Sequence, residues 1–210
     1  MSITLAIILF TCIVSFPAFG NTRLQNDLLF WPYLMERRGQ YYRFVTGGLI
    51  HADLMHLMFN MVSLYSFGLA VEEILFPAIF GSDARLLYIL LYVLAIVFAG
   101  IPDYINQRRN PQYRALGASG AVSGVIYAAI MIVPNMPIRF FFFPIDIPGY
   151  LFGFAYLAMS YYMAKRGGDN IGHSAHFWGA VFGLAFTALT AWFIAHKDLI
   201  GSFLYHVLPG

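Results

Sequence analysis

Residues 115–134 read Ala-Leu-Gly-Ala-Ser-Gly-Ala-Val-Ser-Gly-Val-Ile-Tyr-Ala-Ala-Ile-Met-Ile-Val-Pro and hold no charged side chain. A helix needs about 20 mainly apolar residues to cross the hydrocarbon core of a bilayer, so this stretch is long enough to span. Further runs of the same character lie on either side of it. Together they predict six transmembrane helices at about 1–20, 54–77, 86–102, 116–134, 148–164 and 172–195, with most of the charge in the connections. Composition agrees: of 210 residues 60% are hydrophobic and 10% charged, where a soluble domain carries about a quarter charged. This argues against a soluble globule, and a net charge of +2 gives no sign of nucleic-acid binding. The expected fold class is an all-α membrane protein, a single domain over residues 1–210. The first run has no Lys or Arg among the first 22 residues, so it reads as a span rather than a secretion signal. The one cysteine, Cys12, lies inside it and supports no disulfide framework.

The connections carry their own signals. Residues 21–53 mix Trp31, Tyr33, Tyr41 and Tyr42 with Glu36, Arg37, Arg38 and Arg43, a composition suited to the headgroup zone. Phe140 to Phe143, followed by Pro144 and Pro148, are too broken for another span and too apolar for full solvation, so this segment is expected to skim the surface. The tail from Leu199 to Leu208 is too short to cross and suits an interfacial helix.

In a six-span bundle the second, fourth and sixth helices run in one direction, so their first turns share a side. Those turns carry His51, His56 and Asn60; Ser119; and His173 and His176. Polar groups inside a membrane are costly and usually mark function. An isolated Ser among glycines is ordinarily a helix-packing residue, as Gly120 and Gly124 suggest. The same small-residue spacing recurs at Gly179 and Gly183, however, and if the two notches meet then Ser119 and His176 meet too. A hydroxyl beside an imidazole can become a nucleophile. His56 and Asn60, four apart on one helix face, suit the stabilisation of an oxyanion, although interhelical hydrogen bonding explains them as well. His51 and His173 read as structural or loop-solvated. No His-Glu-x-x-His or Gly-x-Gly-Asp pattern occurs, and neither a metal nor a cofactor is expected.

Gly117-Ala-Ser-Gly120, the His56-x-x-x-Asn60 pair and Ala175-His-x-x-Gly-x-x-x-Gly183, in the second, fourth and sixth of six spans, resemble the rhomboid intramembrane serine proteases. Tyr42-Arg43 and Glu72 also match family positions, and the likeness covers nearly the whole chain. The resemblance implies a six-helix rhomboid-like bundle enclosing a polar active-site cavity. It implies Ser119 as nucleophile, His176 as general base and acid, and His56 with Asn60 at the oxyanion, cleaving single-span transmembrane substrates near the membrane surface. Many members carry an aromatic residue four positions after the nucleophile, packed on the histidine. After Ser119 that position is Ser123; after Ser123 it is Tyr127, which leaves Ser123 as an alternative nucleophile. A catalytically inactive rhomboid-like protein that binds membrane clients is the second reading, and a small transporter the third. The bacterial six-span form implies a multi-pass protein of the cell's inner or plasma membrane, with the site facing outward. Nine of the 12 Lys and Arg residues lie on the site's side, and the positive-inside rule turns that side toward the cytoplasm.

Overall fold

The computed structural model describes residues 2–140, 143–167 and 172–208. Met1, positions 141–142 in the phenylalanine run, residues 168–171 and the last two residues lie outside the described part. Helix α1 (Ile3–Phe19) begins with Ser2, whose hydroxyl accepts the amide of Leu5. A helix start leaves unpaired amides and a partial positive charge. Here the buried Glu72 carboxylate supplies the rest, accepting the amides of Ile3 and Thr4 at 2.6 and 2.8 Å. Thr4 is also hydrogen-bonded to Tyr88 at 2.7 Å, so the start of α1 is locked to two later helices.

The connection after α1 is folded. It contains α2 (Thr22–Leu28), α3 (Pro32–Arg38), α4 (Arg43–Thr46) and a 3-10 turn at Gly47–Leu49. The mixture of arginines and rings is paired: Arg114 lies 4.0 Å from the centroid of Trp31, and Arg37 5.2 Å from that of Tyr33. Arg43 is buried and donates to the carbonyls of Asn26 and Leu29 and to Gln40 Oε1, each at 2.8 Å, so it organises the loop from within.

The second long helix starts as α5 (Leu54–Ser63), capped by Asp53 on the His56 amide at 2.7 Å, and ends as α6 (Phe76–Phe80). Between them it widens into π turns at Leu64–Gly68 and Val71–Leu75, where a regular α-helix over 54–77 was expected. Two local causes are visible. Tyr88 and Thr4 press on Gly68, where a Cβ would lie 2.7 and 2.8 Å from their side chains. Pro77 lacks an amide and would crowd the carbonyl four residues back, which falls in the second wide turn.

Helix α7 (Ala84–Gln107) follows, and then α8 (Ser119–Ile132), nearly all of it buried. With 14 residues α8 is about 21 Å long, shorter than the expected 116–134. Gly117, at φ +111°, turns the chain just before it, and Val133 leaves the helical region ahead of Pro134. Strands β1 (Pro137–Phe140) and β2 (Phe143–Pro148) then form an antiparallel hairpin. The all-α expectation needs correcting here: prolines at 137, 144 and 148 exclude helix, and Arg139 pairs with Asp146 across the strands at 2.8 and 2.9 Å. That pairing holds the Asp146 carboxyl below its usual range.

Helices α9 (Gly149–Arg166) and α10 (His173–Phe193) precede a short α11 (Leu199–Val207), capped by Asp198. The centre of the molecule is α8, packed most closely on α10 and then on α7. The segments Leu54–Gln107 and His173–Phe193 are long and apolar enough to cross a membrane, while Ile3–Phe19 and Ser119–Ile132 are shorter apolar helices. The outer faces are apolar too: Phe10, Ile13, Trp192 and Phe193 are each more than half exposed.

Candidate active site

The contact between α8 and α10 is made by backbone. A Cβ on Gly179 would overlap the Gly120 carbonyl, and one on Gly183 the Gly124 carbonyl. The two notches read from the sequence therefore face each other. At the upper end of this seam a Cβ on Gly120 would lie 3.4 Å from the Ala175 carbonyl oxygen. Gly120 follows Ser119 and Ala175 precedes His176, so the seam brings the two residues to one level.

Ser119 is the first residue of α8, and no side chain caps this helix start. The first-turn amides, at the positive end of the helix dipole, are thus open to an anion. Ser119 also lines a cavity of about 60 Å³ together with Gly47, Gly48, Ala99, Asp103 and Ala175. Water needs about 10–15 Å³ measured this way, so a few molecules fit. This cavity is small and walled largely by glycine, alanine and rings, with Ser119 and Asp103 as its polar side chains; His56, Asn60 and His176 do not line it, so it is not the cavity enclosing all the site residues that was expected. Asp103 accepts a hydrogen bond from Tyr113 at 2.8 Å. Burial and this carboxylate push the Tyr113 phenol up, so it stays protonated and donates. Among the described residues no direct hydrogen bond joins Ser119 to His176. Such bonds are often long before substrate binds.

His56 sits beside the turn that leads into α8. A Cβ on Gly117 would fall 2.6 Å from His56 Cε1 and 2.9 Å from Nε2, so only glycine fits there, and its positive φ demands the same. Asn60 is buried and spends one amide hydrogen on the His56 carbonyl at 2.9 Å. Its second amide hydrogen is left for another acceptor.

The family model of the Rhomboid domain matches residues 38–193. The chain belongs to the rhomboid family. It is 28% identical over 155 residues to the RHOMBOID-like protein 12, mitochondrial, of Arabidopsis thaliana, an alignment covering 69% of this chain and 45% of that protein. The chain thus spans under half the length of this curated relative. Family membership and the apolar helices make it a membrane protein.

Two features of this rhomboid's site were not legible in the sequence. His51 is fully buried, as a structural role requires, and it acts on the site: its Nε2 accepts the Ala118 amide at 3.3 Å. Nδ1 therefore carries the proton and donates to Ser15 Oγ at 3.0 Å, while Ser15 donates to the Leu49 carbonyl at 2.9 Å. The chain entering α8 is further held by Phe30 pairing with Ala115 and by Gly117 donating to the Gly47 carbonyl at 2.8 Å. The second feature is Tyr156 of α9, whose ring lies 6.0 Å from that of His176 at 25°. Ser123 is buried one turn below Ser119 with its hydroxyl 3.3 Å from the Tyr156 hydroxyl.

Proposed function

We propose that this rhomboid is an intramembrane serine endopeptidase. Its spans are α1, the helix over 54–80, α7, α8, α9 and α10. Ser119 Oγ attacks the scissile carbonyl as its proton passes to His176. First-turn amides of α8, with His56 and Asn60, receive the oxyanion. His176 then returns the proton to the leaving amine, and water repeats the sequence on the acyl-enzyme. The observation that supports this reading is the glycine seam, which sets Gly120 and Ala175, the neighbours of Ser119 and His176, against each other at a helix start without a side-chain cap.

The substrates we propose are single-span proteins. An intact helix in lipid hides its carbonyls in its own hydrogen bonds, so cleavage falls where Gly, Pro or another weak helix former lets the substrate unwind. With α8 about 21 Å long against a hydrocarbon layer of roughly 30 Å, we place Ser119 slightly below the edge of that layer. We assign the protein to an inner or plasma membrane with the site facing outward, against the charge count. A reporter fused at the C-terminus reads that orientation.

The decisive experiment labels the solubilised protein with a serine-directed fluorophosphonate, maps the modified residue, and follows cleavage of a model transmembrane substrate. Label on Ser119, with cleavage abolished by Ser119→Ala and by His176→Ala, is the expected result. Label on Ser123 with an active Ser119→Ala variant moves the nucleophile. No label and no cleavage by the wild-type protein favours the inactive, client-binding reading.

A further inference from the structure

We propose that Tyr156 is the positioning residue of His176 and that Ser123 sets the tilt of its ring. This rests on the Ser119–His176 reading above. An imidazole at the start of a helix turns about two side-chain torsions, and a general base works only in a narrow range of them. A flat ring packed on one imidazole face removes part of that freedom. Tyr156 supplies such a face at 6.0 Å and 25°, while the His173 ring meets His176 edge-on at 6.0 Å and 83°. The two contacts constrain the imidazole in different planes.

Tyr156 is itself held at both ends. Its hydroxyl is 3.3 Å from Ser123 Oγ on α8, and Phe152, one turn earlier on α9, stacks on it at 5.6 Å and 28°. Position 123 lies four residues after Ser119, on the same helix face. A small residue there leaves room for a ring arriving from α9, and its hydroxyl fixes where that ring ends. Tyr127 has a different role, since it donates to the Gly153 carbonyl at 2.6 Å and ties α9 to α8. Tyr156 thus joins three helices, and the orientation of the base follows the seat of α9. That helix buries little, with Gly149, Gly153 and Ser160 as its buried residues.

The test uses the full-length protein in proteoliposomes with a cleavable single-span substrate. Tyr156→Leu is expected to lower kcat about 10- to 100-fold with KM little changed, as misplacement of a reacting group does. Tyr156→Phe keeps the ring and should stay within about 2- to 5-fold of wild type, the effect of one hydrogen bond. Ser123→Ala removes the same bond, so the double variant Ser123→Ala/Tyr156→Phe should be no slower than either single one. Both of these variants preserve packing and remain informative should the Leu variant misfold. Wild-type kcat in Tyr156→Leu, a Phe variant as slow as the Leu variant, or additive losses in the double variant would each overturn the role. Ser119→Ala and His176→Ala run alongside: cleavage by either removes the dyad reading and this inference with it. If both are inactive while Tyr156→Leu keeps its kcat, the positioning role alone fails.

Discussion

Two of the helices beside α8 at the candidate site, α9 and α10, are attached to it in opposite ways. Helix α10 meets it glycine to glycine, with Gly179 against Gly120 and Gly183 against Gly124 and no side chain between. Helix α9 meets it through rings and hydroxyls: Tyr127 to the Gly153 carbonyl, Tyr156 to Ser123, and Tyr156 over His176. A backbone seam has no rotamers and tolerates no added atom, so it fixes the level of Ser119 against His176. A seam of side chains can give and repack. The pair proposed to do the chemistry is mounted on the first kind of contact, and the proposed orientation of its base on the second.

The comparison can be broken most severely at the glycines. Gly179→Ala or Gly183→Ala drives a methyl into the α8 backbone, and we expect loss of about 1–3 kcal/mol or more of stability together with most cleavage. Unfolding midpoints in mixed micelles, read beside activity, check both. A stable and active Gly179→Ala protein would show that the seam is looser than its contacts imply. Next in size are the proposed oxyanion donors. His56→Ala should slow turnover about 10²-fold with little effect on substrate affinity or stability. Asn60→Ala should cost less, because one of its amide hydrogens is committed to the His56 carbonyl. Single-turnover kinetics separate these effects from binding. The smallest change is expected on α9. A Cβ at Gly153 meets Ile130 and Tyr127 at 3.5 Å, an ordinary contact. Gly153→Ala should therefore be neutral or stabilise by up to about 1 kcal/mol, with cleavage retained. Equal damage from Gly153→Ala and Gly179→Ala would erase the distinction between the two attachments.

Much of this arrangement could be read from spacing. Glycines four apart at 120 and 124, and again at 179 and 183, are local facts of the sequence, and helical geometry turns them into notches without further information. Ser119 and His176 follow because each has a fixed offset from its notch. The π turns over 64–75 could not be read this way. The first goes with the close approach of Tyr88 and Thr4 to Gly68, contacts made by residues that are near only after folding, and only the second has a sequence signal, in Pro77. The hairpin at 137–148 had a visible signal in its three prolines, which excluded helix without specifying a strand pairing. His51 read as structural or loop-solvated, and nothing in the spacing pointed to its contacts. Its partners, Ser15 and Ala118, lie 36 and 67 residues away.

By itself the sequence determined the apolar segments, the family and the glycine notch on each of two helices, because each depends on hydrophobicity or on helical periodicity within one segment; that the notches meet was decided by the fold. The tertiary structure alone decided which ring covers His176. Position 123, where a neighbour on the same helix would supply that ring, holds a serine, and a tyrosine from α9 fills the space instead. Periodicity relates residues along one helix. Which residue of another helix arrives at a given face depends on how the helices are seated, and for α9 that is set by tertiary contacts with α8 and α10.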